Sequence, residues 1–363
     1  MWLIIMSVVA VLALLALFYL LTRFHRFSFI SALGEEHRAL SWLAAFLPLA
    51  LLGLFALFNV PTLFVVLLHL TAGFLLCGFV AFLVKKLAGV EIPYDYQGAA
   101  AIILTAAYLS VGWFMAHHVF ETDYRFETVK PLKRDFRIVG VADAHLGVTL
   151  NGESFKREME RVQSLEPDAV VILGDFVDYN SRAADLRAAC KALGELKTPC
   201  GVYFVYGNHD KGLSQLRDFD AEDLRWELKD NGVVILEDEW VLLDDSLYLI
   251  GRRDRSDRTR ASMKTLTAEL DPQKYTLVLD HQPNDYDAEA AAGVDLVLSG
   301  HTHGGHIFPA GPISLLMGAN DAVYGAERRE NTDFVVSSGI SGWAIPFKTG
   351  THSEIVVIDL TAP

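Results

Sequence analysis

The chain of 363 residues carries 31 Lys and Arg against 45 Asp and Glu, a formal net charge of −14, and 52% of it is hydrophobic. Residues 1–120 hold only five basic residues (Arg23, Arg26, Arg38, Lys85, Lys86) and four acidic ones (Glu35, Glu36, Glu91, Asp95), leaving 26 basic and 41 acidic residues for the back two thirds. An almost uncharged front joined to an acidic back excludes a wholly soluble enzyme and a disordered chain, and three cysteines are too few for a disulfide scaffold.

Four runs free of Asp, Glu, Lys and Arg, at residues 2–22, 41–59, 62–84 and 99–119, each approach the roughly 20 residues a helix needs to cross hydrocarbon. The first has no basic flank after Met1 and no small-residue cleavage site before Arg23, so it reads as an anchor and not as a signal peptide. Pro48 lies inside the second run, and little more than Val60-Pro61 separates it from the third, which predicts a tight hairpin. Arg23, Arg26 and Arg38 follow the first run and Lys85 and Lys86 the third, so the positive-inside rule places the N-terminus and the back two thirds outside the cytoplasm. Arg125, Lys130, Lys133, Arg134 and Arg137, close behind the fourth run, pull the other way. His69 inside the third run reads as a neutral, hydrogen-bonded bundle residue, and His117 and His118 beside Trp113 and Phe114 as interfacial anchors.

Residues 121–134 read as a linker. From Asp135 onward, short apolar runs at 137–142, 169–173, 202–206, 275–279 and 295–298 predict buried strands, with helices at 153–165, 182–196 and 221–231 between them. Residues 233–251 and 333–360 look like β-meanders, the first turning at Asp244-Asp245. The chain contains no G-x-x-x-x-G-K-[ST], G-x-G-x-x-G or G-x-S-x-G, which removes the common nucleotide-binding and serine-hydrolase readings. Five strand ends instead carry Asp143-Ala-His145, Gly174-Asp175-Phe-Val-Asp178, Gly207-Asn208-His209-Asp210, Asp280-His281 and Gly300-His301-Thr-His303-Gly-Gly. Imidazole and carboxylate together suit Zn, Mn or Fe, and the lack of cysteine in all five argues against a structural zinc site.

These motifs, in this order, resemble the calcineurin-like metallophosphoesterase superfamily, and the residues after Val335 resemble a bacterial, membrane-anchored branch of it. Within that branch's pattern Lys348 stands in place of Arg and His352-Ser353 in place of Pro. The resemblance covers residues 135–360 of a domain expected at 135–363 and implies an α/β fold, a four-layer αββα sandwich behind the four-helix transmembrane segment at 1–120. It implies two divalent metal ions (Mn, Fe or Zn), one held by Asp143, His145, Asp175 and His303, the other by Asp175, Asn208, His281 and His301. A metal-bridging hydroxide would attack phosphorus in line. His209 would protonate the leaving alkoxide or stabilise the phosphoryl charge, Asp210 would orient it, and Asp178 would turn a ligand rather than touch metal, or serve only as a turn carboxylate. His306 reads as a packing or supporting residue.

Arg252 and Arg253 open a run of five arginines in nine residues, suited to phosphate oxygens or, as plainly, to a solvated loop. The acidic balance opposes nucleic-acid binding. Cys190 and Cys200 flank a short connection and suit either a disulfide or two buried apolar sites. Together these features describe a membrane-anchored dimetal phosphoesterase of the cell membrane. Its substrate is a phosphodiester, diphosphate or phosphomonoester on a lipid-linked or envelope-associated molecule, and its partner is the bilayer. The alternative is a membrane sensor or assembly protein that uses the same domain as a binding module.

Overall fold

The computed structural model describes residues 2–212 and 217–362, which divide into two compact units, Met1–Val111 and Gly112–Pro363. The first unit is helical: α1 (Trp2–His25), α2 (Ser28–Glu36), α3 (Arg38–Leu52) running into a 3-10 turn at Gly53–Leu57, α4 (Val60–Ala88), and most of α5 (Tyr94–His117). Three spans, Arg38–Leu57, Val60–Ala88 and Tyr94–His117, are long and apolar enough to cross a membrane. The pair Ala10–His25 and Ser28–Glu36, bent by 78° at Arg26-Phe27, makes a fourth only when counted as one broken span, so the first expected span continues into a short helix that its apolar run did not announce. The hairpin has a local cause. Asn59 Oδ1 accepts the Thr62 N–H at 2.8 Å and caps α4, while Pro61 occupies its first turn, where a missing N–H costs nothing. Leu20, Phe24, Ala45, Leu67, Leu70, Phe74 and Ala101 form this unit's core. His69 Nδ1 lies 2.7 Å from the Val65 carbonyl one turn back, the satisfied arrangement expected of it.

The second unit opens with β1 (Val119–Glu127), so the expected linker at 121–134 starts as a strand. Its alternation of Phe120, Thr122, Tyr124 and Phe126 with charged neighbours is a strand pattern. Next come β2 (Phe136–Val141), α6 (Gly152–Ser164), β3 (Ala169–Ile172), α7 (Ala183–Gly194), β4 (Val202–Phe204), α8 (Ala221–Asp230), β5 (Val234–Ile235), β6 (Glu239–Leu243) and β7 (Leu247–Gly251). The remaining elements are α9 (Met263–Thr267), β8 (Tyr275–Leu279), α10 (Tyr286–Ala291), β9 (Leu296–Ser299), α11 (Ala310–Leu316), β10 (Gly325–Arg329), β11 (Thr332–Val336) and β12 (Ser353–Thr361).

Two six-stranded sheets result, ordered β1-β12-β2-β3-β4-β5 and β10-β11-β9-β8-β7-β6. Strands β2 to β5 are parallel neighbours, as are β7, β8, β9 and β11. Alternate residues of β2 face opposite ways. Phe136 and Ile138 join Leu249, Leu277, Leu298 and Val335 between the sheets, while Val139 and Val141 pack with Phe155, Met159 and Leu193 under α6 and α7. A third cluster, with Ile250, Val278, Tyr286 and Phe334, covers the outer face of the second sheet. The layering is therefore helix, sheet, sheet, helix.

Both expected meanders are corrected. In 233–251, β5 pairs with β4 in the first sheet, and only β6 and β7 form a hairpin, turning at Asp244 and Asp245 in left-handed backbone. In 333–360, β11 joins the second sheet and β12 crosses to the first. All three cysteines are free. Cys190 lies in the core under α7 and Cys200 packs against the core between the sheets, so the first sheet separates them.

Candidate metal centre

Asp143 and His145 follow β2, Asp175 and Asp178 follow β3, Asn208 to Asp210 follow β4, Asp280 and His281 follow β8, and His301 and His303 follow β9. All five are parallel strands, so their C-terminal ends, and these loops, gather at one edge of the sandwich. Asp143, His145, Asp175, His301 and His303 adopt left-handed backbone, with φ of 55, 37, 48, 69 and 49°, which non-glycine residues keep only where the surroundings enforce it. Hydrogen bonds between loops enforce it here. Asp143 N–H donates to the Gly174 carbonyl (3.1 Å), His145 N–H to the Asp175 carbonyl (3.0 Å) and Gly300 N–H to the His281 carbonyl (3.0 Å). Asp175 Oδ1 accepts the His209 N–H at 2.8 Å, and Asp143 Oδ2 accepts the His301 N–H at 2.9 Å. Gly207 lies so close that a Cβ there would stand 2.2 Å from Asp175 Oδ1; no other residue fits.

Three donor groups emerge, Asp143 with His145 and His303, Asp175 with His281 and His301, and His145 with Asp178 and His209, the ligand atoms in each lying within 4.8 Å of one another; the first two hold most of the expected ligands. Asp175 Oδ2 connects them, 3.2 Å from His281 Nε2 and 3.7 Å from His145 Nε2. His281 Nδ1 donates to the Leu173 carbonyl (2.7 Å) and His303 Nδ1 to the Ser341 carbonyl (3.2 Å), so that either ring, when neutral, turns an Nε2 lone pair into the cluster. The Nε2 atoms of His145 and His303 are 3.1 Å apart. Two ring nitrogens this close require a proton or a cation between them. Among the described residues, Asn208 Oδ1, His281 Nε2 and His301 Nδ1 are buried without a hydrogen-bond partner. Buried carboxylates, lone pairs held inward by carbonyl acceptors and orphaned polar atoms are what a pair of divalent cations needs, so these residues fit the two-metal set.

The titration directions divide between the rings. Burial pushes His301 down to about 4 and His303 well below the ordinary imidazole range. Burial also opposes charge on His281, but Asp175 prevails and lifts it well above that range. Burial lifts Asp143 to about 6. The cluster disfavours protonated imidazole except where Asp175 demands a positive charge.

His209 is 11% exposed at the side chain, with Nδ1 3.1 Å from Asp178 Oδ1. Asp178 Oδ2 is also 3.4 Å from His145 Nδ1, so one carboxylate sits beside both an expected ligand and the expected acid. Burial opposes the charged form of His209, but the Asp178 bond together with the charges of Asp175, Asp178 and Asp210 outweighs it and raises its pKa. The expected role of Asp210 is corrected. Its carboxylate is fully buried and accepts the N–H groups of Phe176 (2.8 Å), Val177 (3.2 Å) and Gly207 (2.7 Å). Adjacent side chains diverge at this turn: His209 faces the site, and Asp210 turns inward and ties two loops together.

The two arginines separate in the same way. Arg252 is 2% exposed and its guanidinium bonds Asp280 (3.0 Å), Glu289 (3.0 Å) and Asp285 (2.8 Å); Arg260 also binds Asp280. Arg252 is thus a buried partner of the residue preceding His281 and does not reach toward substrate. Arg253 is partly exposed and lines a cavity of about 290 Å³ together with Asn208, Lys211, Asp254 and Asp257.

Several residues at the site have no counterpart among the five motifs. Rings of Tyr179 and Trp343 stand 5.1 and 5.7 Å from the His209 ring. The loop after β11 supplies the carbonyl that orients His303, and Lys348, fully buried, holds it by donating to the carbonyls of Ser338 (2.6 Å), Gly339 (3.0 Å) and His352 (3.2 Å). Burial pushes the Lys348 ammonium down to about 7. Glu354 accepts the Ser338 N–H at 2.7 Å on the same loop. The available signal was Glu354, a charge within β12 directly before its apolar run of Ile and Val; Lys348, in the polar stretch ahead of the strand, gave none. His306 packs against His303, ring centroids 5.4 Å apart.

A model of the calcineurin-like phosphoesterase family matches residues 136–305. A metallophosphoesterase of Aquifex aeolicus is 31% identical over 248 residues, covering 65% of this chain and 90% of that protein. A bovine transmembrane protein with a metallophosphoesterase domain is 30% identical over 289 residues, 73% of this chain and 62% of its own length. A Campylobacter jejuni metallophosphoesterase is 31% identical over 236 residues, 63% of this chain and 60% of its own. The chain thus spans about three fifths of the last two relatives.

Proposed function

Because the chain belongs to the calcineurin-like phosphoesterase family, we propose that it is a membrane-anchored, metal-dependent hydrolase of a phosphodiester, diphosphate or phosphomonoester. The observation that carries the reading is Asp175 Oδ2 standing between two buried His-carboxylate groups whose lone pairs converge. Two divalent cations in such a site supply charge to clamp a phosphoryl group and lower the pKa of water. The chain's own part is positional. Asp143, His145, Asp175 and His303 would hold one ion and Asp175, Asn208, His281 and His301 the other. His209, its Nδ1–H directed at Asp178, keeps Nε2 for delivering a proton to the departing alkoxide. Tyr179 and Trp343 flank that ring and limit water around it. The uncharged helices tether the domain to a bilayer, and Arg23, Arg26, Arg38, Lys85 and Lys86 favour an extracytoplasmic site. A tethered site suits a lipid-linked or envelope-associated phosphoester.

Purified full-length protein with Mn²⁺ is expected to hydrolyse bis(p-nitrophenyl) phosphate. Asp175→Asn abolishes turnover, and His209→Ala lowers it by about 10²–10⁴-fold with the fold intact. Absence of turnover from metal-reloaded wild type on aryl diester, aryl monoester and diphosphate alike rejects hydrolysis in favour of a binding module.

A further inference from the structure

No Asp, Glu, Lys or Arg occurs between Asp295 and Asp321. The first part of that stretch is buried β9 and the ligands His301 and His303, but residues 308–317 are largely open to solvent. Phe308 is 57% exposed, Leu316 89% and Met317 73%, with Ile313 and Leu315 also exposed. Helix α11 buries only Gly311. A run of large apolar residues this exposed, adjoining a catalytic site, marks an interaction surface.

The hydrogen bonds say what lies beside it. Thr349 and Gly350 N–H groups both donate to the His306 carbonyl (2.9 and 3.0 Å), and Phe308 N–H donates to Thr349 Oγ1 at 3.1 Å. Lys348 N–H donates to the carbonyl of Gly112 in α5 at 2.8 Å, and Ser353 Oγ to that of Ala116 at 3.0 Å. The apolar segment is therefore bonded, through residues 348–350, to the final turns of an apolar helix. There Trp113 and Phe114 are half-exposed, as aromatic residues are at a bilayer interface. On the other side the segment is packed onto the metal centre: a Cβ on Gly305, two residues after His303, would lie 2.7 Å from Gly311 of α11.

We propose that Phe308 and the Ile313–Met317 segment insert into the boundary between lipid headgroups and acyl chains. They continue the belt begun by Trp113 and Phe114 and seat the His301–His303 loop at the membrane surface. The corresponding substrate class is a phosphoester borne by a membrane amphiphile, its phosphoryl group at headgroup depth and its chains left in the bilayer. This rests on the membrane-anchored phosphoesterase reading above. An uncharged, lipid-facing apolar segment next to an ending apolar helix is the arrangement of interfacial docking, in which binding scales with buried apolar area.

The test places a nitrobenzoxadiazole label at Leu316→Cys in the full-length protein, reconstituted in vesicles of phosphatidylcholine and phosphatidylglycerol. The control is Val129→Cys. Val129 is equally exposed, at 89%, but lies beyond the far end of β1, roughly 30 Å along the strand from α5. Labelled wild type corrects for the native cysteines. The 316 label is expected to shift to the blue and be quenched by lipids with a headgroup-proximal nitroxide, and the 129 label to do neither. A 316 label as unquenched as the 129 label overturns the proposal; if it is shifted to the blue but unquenched, the face belongs to a second copy of the chain, which also overturns it. In a second measurement, Leu316→Asp with Met317→Asp lowers turnover of p-nitrophenyl hexadecyl phosphate in vesicles by roughly tenfold and leaves that of soluble bis(p-nitrophenyl) phosphate unchanged. Equal effects on both probes refute the substrate class. If wild type hydrolyses neither probe, the phosphoesterase reading fails and with it the substrate class, while the quenching result still decides the docking surface.

Discussion

Asp178 and Asp210 stand either side of His209 in sequence terms, and exchanging each for Asn separates the acid's support from a structural tie. Asp178→Asn keeps the shape but removes the charge facing His209 Nδ1 at 3.1 Å and His145 Nδ1 at 3.4 Å. A hydrogen bond to a charged group contributes about 1.5–3 kcal/mol. If that holds the imidazole for proton delivery, kcat falls by roughly 10–150-fold at 1.4 kcal/mol per decade, with the melting temperature little changed. Asp210→Asn acts differently. The Asn carbonyl still accepts from Phe176 and Val177, but its amide meets the Gly207 N–H that Asp210 Oδ2 accepts at 2.7 Å. Leaving that buried donor unpaired costs about 1–3 kcal/mol, or roughly 2–12 °C in melting temperature for a domain of this size. The assay is kcat on bis(p-nitrophenyl) phosphate with saturating Mn²⁺, beside a thermal melt of each variant. Full turnover in Asp178→Asn, together with a hundredfold loss in Asp210→Asn at unchanged melting temperature, would return the orienting role to Asp210 and refute the geometry argued here.

Arg252→Ala strands Glu289 and leaves Asp280 to Arg260 alone, both carboxylates being 1% exposed, and is expected to cost about 3–5 kcal/mol in urea unfolding; a variant of wild-type stability with an altered KM would instead make Arg252 a substrate contact. Thiol titration in denaturant without reductant should count three cysteines per chain, and a count of one would show a disulfide despite the sheet between Cys190 and Cys200. Mn²⁺ at about 100 times its dissociation constant should stabilise wild type by about 2.7 kcal/mol, seen as a raised melting temperature that chelator reverses; Asp175→Asn should show a much smaller rise, and an equal one would place the ions elsewhere. Lys348→Met leaves the carbonyls of Ser338, Gly339 and His352 without their shared donor, so it should lower thermal stability by several degrees at roughly 1 kcal/mol or more per group, and an unchanged melt would refute its hold on the loop.

The amino-acid sequence by itself determined the apolar helices, the parallel strands and the His and carboxylate motifs at the strand ends. Each is local: uncharged runs of bilayer length, short β-rich runs, and ligands within a few residues of a strand end. Even the Asp244-Asp245 turn was legible, since two residues in left-handed backbone join β6 and β7. Which side chain faces which was decided only by the tertiary structure. His209 and Asp210 are neighbours in the chain, yet the partner of His209 comes from the loop after β3, and Asp210 belongs to the buried tie between loops. Arg252 and Arg253 are likewise adjacent and point to a buried carboxylate cluster and a surface cavity. Consecutive side chains diverge by construction in extended and turning backbone, so sequence position cannot assign them to a site. Strand pairing shows the same limit. Both β11 and β12 read as strands, but their separation into different sheets depends on non-local pairing with β9 and with β1 and β2, and that pairing is set by the burial of whole sheet faces, not by any residue within the strand.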